Sequence, residues 1–165
     1  MIEVLMGDIT KETTVAIVNA ANTNLLAGGG VCGAIHAAAG PLLEAECLTL
    51  GGCPTGEARI TKAYNLPCKY VIHAVGPRYW DGTKGEAANL LNCYRSIFDL
   101  ARDYQIPSVA IPAIGTGIYR YPLEEASAIA VRSALDALKR SSIEVRFVCF
   151  DTKTQMIYRN LLRSF

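Results

Sequence analysis

Two glycine-rich segments of the chain could bind an anion through backbone groups. The first contains residues 28–30 and Gly33, and the second contains Gly115 and Gly117. Glycine lets a backbone approach a ligand closely, and N–H groups at the start of a helix face an anion beside the positive end of its dipole. Each segment lies between a stretch typical of a strand and one typical of a helix. The pair could therefore hold the two phosphates of a diphosphate, although one glycine cluster alone could also be a flexible turn.

The first segment also fits the pattern G-x-G-x-x-G, through Gly28, Gly30 and Gly33. That pattern is typical of a dinucleotide-binding Rossmann unit, which needs a tight turn directly after its strand. Here the preceding strand is expected to end near Asn19, about eight residues too early for that turn. No acidic residue ends a second strand at the expected spacing of about 20 residues. Both features disfavour the Rossmann interpretation.

Other expected strand ends carry groups that could complete a ligand site. Asp8 and Ile9 follow the first strand, and Phe150 ends the last one. In open α/β sheets, ligands bind outside the carboxyl ends of the strands. The ring of Phe150 could stack on a base or a sugar, or it could pack in the core, and its position leaves both roles open.

Hydrophobic periodicity predicts strands that alternate with helices along the whole chain. Strands are expected at 2–6, 15–19, 58–64, 70–75, 108–111 and 145–150, and helices at 33–39, 41–48, 87–104, 123–138 and 155–162. No linker interrupts this alternation. The pattern predicts a single α/β domain over residues 1–165, with a largely parallel sheet and helices on both of its faces.

Composition excludes several function classes. The 165 residues are 51% hydrophobic and 19% charged, with 16 Lys and Arg against 15 Asp and Glu, which argues against a nucleic-acid partner. No apolar run approaches the roughly 18–20 residues that cross a bilayer, and the start of the chain is not typical of a signal peptide. No membrane partner is therefore expected. None of the six cysteines forms a C-x-x-C pair, so no metal site is expected, and no cofactor is expected either. Without a secretory signal, reduced thiols in the cytoplasm are the expectation.

Seven motifs together identify a resemblance to the macrodomain family, closest to its MacroD-type branch. They occur in the family's order along nearly the whole chain: Gly7-Asp8-Ile9-Thr10, Val18-Asn19-Ala20-Ala21-Asn22, Gly28-Gly29-Gly30-Val31, Ile35-His36-Ala37-Ala38-Ala39-Gly40, Cys53-Pro54-Thr55-Gly56-Glu57-Ala58, His73-Ala74-Val75-Gly76-Pro77 and Ile114-Gly115-Thr116-Gly117-Ile118-Tyr119. The resemblance implies a three-layer α/β/α macrodomain fold with a mixed, largely parallel sheet of about six strands.

The resemblance also implies a ligand, ADP-ribose, and an activity. Members of this branch bind ADP-ribose, and many remove mono-ADP-ribose from acidic side chains or deacetylate O-acetyl-ADP-ribose. The expected partners are therefore ADP-ribose and an ADP-ribosylated protein or O-acetyl-ADP-ribose. The oligomeric state stays open.

Site roles carry over from the family residue by residue. Asp8, with the backbone of Ile9 beside it, would accept a hydrogen bond from the adenine amino group, and Phe150 would stack on the adenine. Asn22 would bind the hydroxyls of the distal ribose, and His36 would support the first loop from behind. The two phosphate loops would consist of Gly29, Gly30, Val31, Cys32 and Gly33, and of Gly115, Thr116, Gly117, Ile118 and Tyr119, with Tyr119 also packing against the distal ribose.

Cys32 departs from the pattern of the family, which usually has an aspartate at this position to orient or activate the attacking water. A thiol is a poor hydrogen-bond acceptor and cannot replace that carboxylate directly. Three interpretations stay open: Cys32 merely packs and hydrolysis is weakened, Asn22 and the substrate phosphate position the water instead, or a thiolate near the helix start is reactive.

Two further functions compete with hydrolysis of ADP-ribosyl esters. One is a reader module that binds ADP-ribose without chemistry, which Cys32 favours. The other is a phosphatase acting on ADP-ribose 1″-phosphate. His73 is expected to be a hydrogen-bonded core residue, whereas the sequence does not decide whether Trp80 covers apolar surface or contacts a partner.

Overall fold

Six strands alternate with five α-helices in the computed structural model, which describes all 165 residues. A short 3-10 helix, Ile9–Lys11, follows the first strand. The strands are β1 (Ile2–Met6), β2 (Ala16–Ala20), β3 (Ala58–Lys62), β4 (Tyr70–Ala74), β5 (Ser108–Pro112) and β6 (Glu144–Cys149). The helices are α1 (Gly30–Ala39), α2 (Pro41–Thr49), α3 (Glu86–Asp103), α4 (Leu123–Arg140) and α5 (Thr152–Ser164).

One mixed sheet in the order β1-β6-β5-β2-β4-β3 forms the middle layer. Every neighbouring pair is parallel except β3 and β4, which are antiparallel. Helices α3, α4 and α5 bury apolar residues on one face of the sheet, and α1 and α2 do so on the other. The expected three-layer α/β/α fold with a largely parallel sheet of six strands is confirmed.

The central strands are apolar on both sides because both of their faces are covered. In β2, Val18 packs in the core beneath α3 and α4, whereas its neighbour Ile17 packs in the core beneath α1 and α2. In β4, Ile72 packs in the core beneath α3 and α4, and Val71 packs in the core beneath α1 and α2. This burial explains the continuous β-branched runs that predicted these strands.

Several boundaries differ from those expected, by up to three residues. Helix α1 begins at Gly30 rather than Gly33, so Gly30 and Gly33 lie in its first turn and Gly29 is its N-cap. Helix α5 begins at Thr152 rather than Gln155, because the carboxylate of Asp151 accepts a hydrogen bond from the N–H of Thr154 and caps the helix. Strand β3 ends at Lys62, two residues before Tyr64 adopts the left-handed conformation with a φ of 54°.

Strands β2 and β5 are neighbours in the centre of the sheet, with Ala16 opposite Val109. The two glycine segments follow these strands at the same carboxyl edge, so the structure brings them together as expected. None of the helices is long and apolar enough to cross a membrane.

Candidate functional site

A cleft of about 230 Å³ opens at the carboxyl edge of the sheet, between the segments that follow β2 and β5. Its walls contain no Asp, Glu, Lys, Arg or His, so a ligand charge must be met by backbone groups. The lining residues are Ala20, Ala21, Asn22, Gly28, Gly29, Gly30, Val31, Cys32, Gly76, Ala113, Ile114, Gly115, Gly117, Ile118 and Tyr119.

The first glycine loop presents the unpaired N–H groups of a helix start to the cleft. Gly29 caps α1 without any side-chain hydrogen bond, and the N–H groups of Gly30, Val31 and Cys32 donate to no other group of the protein. Any side chain at Gly33 would overlap the carbonyl oxygen of Gly28. Glycine at position 33 therefore lets the loop fold tightly over the end of α1.

The second loop is a tight turn closed by a hydrogen bond from the N–H of Tyr121 to the carbonyl of Gly115, at 2.8 Å. Gly115 has a φ of 85°, which favours glycine. The N–H groups from Thr116 to Tyr119 donate to no other group of the protein. Two rows of free amides thus border one cleft, as the glycine pattern predicts for a diphosphate site.

Gly76, just beyond the end of β4, lines the cleft and was not assigned a site role from the sequence. A Cβ there would lie 2.8 Å from the Cγ2 atom of Ile114, so a larger residue would displace the second loop. The Gly76-Pro77 pair directly after a buried strand was the signal that could have identified this position.

Asn22 lies in the wall of the cleft, but most of the hydrogen bonds of its side chain are made within its own loop. Its Oδ1 accepts hydrogen bonds from the N–H groups of Asn24 and Leu26, both at 3.1 Å. Its Nδ2 donates to the carbonyl of Leu26 at 2.8 Å, which leaves one N–H free. A carbonyl oxygen has two lone pairs, so Asn22 can donate to a ligand hydroxyl or a water but has no acceptor left.

Cys32 is nearly buried, with 6% of its surface exposed, at the inner end of the first loop. Its Sγ donates to the carbonyl of Leu26 at 3.4 Å and lies 3.7 Å from Nδ2 of Asn19. His36, one turn later, makes no hydrogen bond through either ring nitrogen, so it does not activate the thiol. These contacts match a small packed residue and give no support to a reactive thiolate.

Both histidines of the chain lie in the core beneath the cleft, with ring centres 6.3 Å apart. His73 Nδ1 accepts from the amide of Asn19 at 3.1 Å, so Nε2 carries the proton and donates to Thr61 Oγ1 at 2.9 Å. Burial lowers the pKa of His73 to about 3 and also lowers that of His36. His73 is a hydrogen-bonded core residue, as expected.

The side chain of Cys47 completes a buried group of three potential metal ligands with the two histidines. The ligand atoms lie within 4.8 Å of one another. Both nitrogens of His73 already have hydrogen-bond partners, and burial raises the pKa of the Cys47 thiol to about 11. The group is therefore a packed cluster of neutral side chains.

Asp8, Ile9 and Phe150 lie outside the cleft, at the ends of β1 and β6. Phe150 is 64% exposed, so the alternative of a core position is wrong. Asp8 is also exposed, and its Oδ1 accepts hydrogen bonds from the N–H and hydroxyl of Thr10, at 2.9 and 2.7 Å. Those bonds lower the pKa of the Asp8 carboxyl. Ile9 is buried beneath this turn, so only its backbone could face a ligand.

Comparison with known proteins identifies relatives along the whole chain. Residues 18–130 match the Macro domain family. A macro domain-containing protein of Mesorhizobium japonicum is 52% identical over 159 residues, which cover 95% of this chain and 90% of that protein. A protein of Klebsiella pneumoniae named O-acetyl-ADP-ribose deacetylase is 50% identical over 169 residues, covering 99% and 97%.

Solved structures show the same fold. The Oceanobacillus iheyensis macrodomain with ADP is 41% identical, with a TM-score of 0.93, and the match covers 99% of this chain and 90% of that one. The Trypanosoma brucei macrodomain in complex with ADP-ribose is also 41% identical, with a TM-score of 0.92 and coverage of 98% and 68%. The fold, the glycine-lined cleft and these matches agree that the chain belongs to the macro domain family.

Proposed function

We propose that this protein binds ADP-ribose in the cleft and hydrolyses O-acetyl-ADP-ribose and mono-ADP-ribosyl esters of acidic side chains. The observation that carries the proposal is the pair of free amide rows, on the first and second glycine loops, around a cleft without charged side chains. The relatives named O-acetyl-ADP-ribose deacetylase support the same chemistry. The narrower assignment to the MacroD-type branch stays a prediction.

The strand order supports an extended ligand that lies across the carboxyl edge of the sheet. The adenine would stack on exposed Phe150 and donate its amino group to Asp8, at the ends of β6 and β1. The loop after β2 lies three strand spacings from the end of β1, about 14 Å, and two spacings from the end of β6. The diphosphate would then lie between the two loops, with the distal ribose beside Asn22 and Tyr119.

In the ribosyl ester of a side chain, water attacks the anomeric carbon and the bond from that carbon to the ester oxygen breaks; the hydroxyl stays on the ribose and the proton leaves with the carboxylic acid. In O-acetyl-ADP-ribose, water attacks the acetyl carbon and the bond to the ribose oxygen breaks; the hydroxyl stays on the acetic acid and the proton goes to the ribose oxygen. Asn22 has one free N–H and no free acceptor, so it can donate to the water or a ribose hydroxyl but cannot accept a proton. The thiol of Cys32 donates to Leu26 and is not a base. An oxygen of the bound diphosphate is then the acceptor that would orient the water. The rate acceleration would come mainly from positioning of the substrate and from backbone amides that stabilise the charge of the diphosphate.

A paired assay tests this proposal. ADP-ribose binding is measured by calorimetry, and product release is followed from O-acetyl-ADP-ribose and from a protein carrying mono-ADP-ribose on glutamate. We expect a single binding site and turnover above the uncatalysed rate on both substrates. Binding with turnover at the background rate would contradict the hydrolase.

A reader module is the second candidate, and the contacts of Cys32 favour it. With its Sγ donating to Leu26, the cleft has no side-chain base. The same paired assay separates the two functions, because a reader binds ADP-ribose tightly without turnover. Inorganic phosphate released from ADP-ribose 1″-phosphate would instead indicate the phosphatase.

A further inference from the structure

A loop beside the cleft exposes a tryptophan to solvent. Trp80 is 68% exposed, and Ile118, at the edge of the cleft, is 88% exposed. Exposed large apolar residues next to a ligand site mark surfaces that contact a partner, and tryptophan is enriched among the residues that dominate binding. We propose that Trp80 and Ile118 form a docking surface for the polypeptide that carries the ADP-ribosyl group, an inference that rests on the proposed function.

The buried carboxylate of Glu86 fixes the loop that presents Trp80. Its Oε2 accepts hydrogen bonds from the N–H groups of Trp80 and Gly82, both at 3.0 Å, and of Asp81 at 3.2 Å. Its Oε1 accepts a fourth from the N–H of Lys84 at 2.6 Å. Four bonds to one carboxylate order the backbone before any partner binds, which lowers the entropic cost of contact.

A hydrogen bond ties this loop directly to the second glycine loop. The N–H of Tyr79 donates to the carbonyl of Tyr119 at 2.8 Å, and the Tyr79 ring packs on that of Tyr121 with centres 4.9 Å apart. Trp80 follows Tyr79 in the chain and Ile118 precedes Tyr119. The two exposed side chains thus flank one backbone contact, and the surface continues into the wall of the cleft.

The charge of this face favours a polypeptide with acidic residues near the modified one. Arg78, Lys84 and Arg120 are exposed and form no ion pair. The acids nearby are Asp81, which already accepts two hydrogen bonds from Thr83, the exposed Glu125, and the buried Glu86, whose carboxylate is bonded to four backbone N–H groups. The exposed groups that a partner can reach are therefore three cations and two acids, which favours an acidic segment at low ionic strength.

A polypeptide fits this surface and a small ligand does not. Trp80 and the cations lie outside the cleft, whereas an acetyl group attached to the distal ribose would stay within it. An ester to a protein side chain brings flanking backbone and side chains to the mouth of the cleft. That segment would meet Trp80 and Ile118 as it leaves the second loop.

Calorimetry with two ligands tests the docking surface on the full chain. The ligands are ADP-ribose and a peptide carrying a non-hydrolysable ADP-ribosyl group between glutamates. We expect Trp80→Ala to weaken the peptide about ten-fold while ADP-ribose affinity stays within about two-fold. The matched control is Leu42→Ala, which removes a side chain 61% exposed on α2, at the far end of α1 from the cleft, and should change neither affinity.

A second peptide with lysines in place of the flanking glutamates tests the charge. We expect it to bind the wild type about three-fold more weakly at low salt, and equal or tighter binding would overturn an acidic partner. Peptide affinity unchanged by Trp80→Ala, or lost in equal measure with ADP-ribose affinity, would overturn the docking surface alone. A wild type that does not bind ADP-ribose would instead refute the proposed function.

Discussion

At the scale of single residues, the side chain at position 32 decides whether the cleft contains a base. We expect Cys32→Asp to raise ester hydrolysis at least about ten-fold, because a positioned carboxylate typically contributes 10²–10⁴-fold. ADP-ribose affinity should stay within a few-fold, since the backbone N–H of residue 32 is unchanged. The new carboxylate would face the carbonyl of Leu26, so a loss of about 1 kcal/mol in stability is expected as well. Initial rates under saturating substrate measure the effect.

Cys32→Asn is the matched control, because it has the shape of aspartate without a basic oxygen. Its hydrolysis rate should not exceed that of the wild type. A fast wild type together with a slower Cys32→Asp variant would contradict this account. In that case the thiol, or the room that its small side chain leaves for substrate, contributes to the reaction, and Cys32 does more than pack.

Asp8 offers a second test through two substitutions. Asp8→Ala removes both the adenine acceptor and the bonds to Thr10, whereas Asp8→Asn keeps its oxygen on Thr10 and turns an N–H group toward the adenine amino group. Both should weaken ADP-ribose by roughly 1–3 kcal/mol, and only Asp8→Ala should also lower stability, by about 0.5–2 kcal/mol. Calorimetry and urea unfolding separate the two effects. Unchanged affinity in both variants would refute the adenine contact.

At the scale of elements, the first turn of α1 can be probed at two glycines. Gly33→Ala puts a methyl group into the carbonyl oxygen of Gly28, so we expect unfolding free energy to fall by about 1–3 kcal/mol and ADP-ribose affinity to fall with it. At Gly29 an added Cβ meets no protein atom within 4 Å. Gly29→Ala should therefore keep the stability of the wild type and lose affinity only, because its methyl group enters the cleft.

Urea midpoints and calorimetric affinities distinguish these two expectations. A Gly33→Ala variant as stable as the wild type would show that the loop relaxes freely, and a Gly29→Ala variant with full affinity would show that the ligand does not approach Gly29.

The elements themselves were largely predictable, since periodicity and glycine or proline breaks predict every strand and α-helix in order, though not the short 3-10 helix Ile9–Lys11. Their ends depended on contacts that a linear pattern does not reveal, such as the Asp151 cap of α5. The two glycine loops and their common cleft were predictable, and the adenine end at Asp8 and Phe150 stays a prediction. The sequence did not predict that both acceptor positions of Asn22 are occupied, or that Gly76 lies in the wall of the cleft. Those features arise from the folding of the loop after β2 and from the approach of β4 to the second loop.

At the scale of the whole molecule, stability should depend on pH through its two histidines. Both are buried, and the lowered pKa of each means that the unfolded chain binds protons that the folded chain does not. Stability is therefore fully present above about pH 6.5 and falls as pH drops toward 3. Between pH 6.5 and 4.5 we expect a loss of roughly 1–2 kcal/mol per pH unit in urea unfolding.

The carboxyls do not obscure this window. The lowered pKa values of Asp8, Asp151 and Glu86, the last at about 2, remove stability only below about pH 4.5. Toward pH 8.5 stability should fall again, because burial raises the pKa of five of the six thiols in the folded protein. Stability independent of pH from 6.5 to 4.5 would mean that the histidines are solvated or charged in the folded protein.

Titration of the wild type with ADP-ribose and with AMP, followed by calorimetry, tests the central claim most directly. Both ligands offer an adenine to Asp8 and Phe150, but only ADP-ribose reaches between the two glycine loops. We expect one ADP-ribose site with a Kd on the order of 1 μM or tighter, and AMP at least about ten-fold weaker. No heat with ADP-ribose at ~100 μM protein, or equal affinity for both ligands, would contradict a cleft built around the diphosphate and distal ribose.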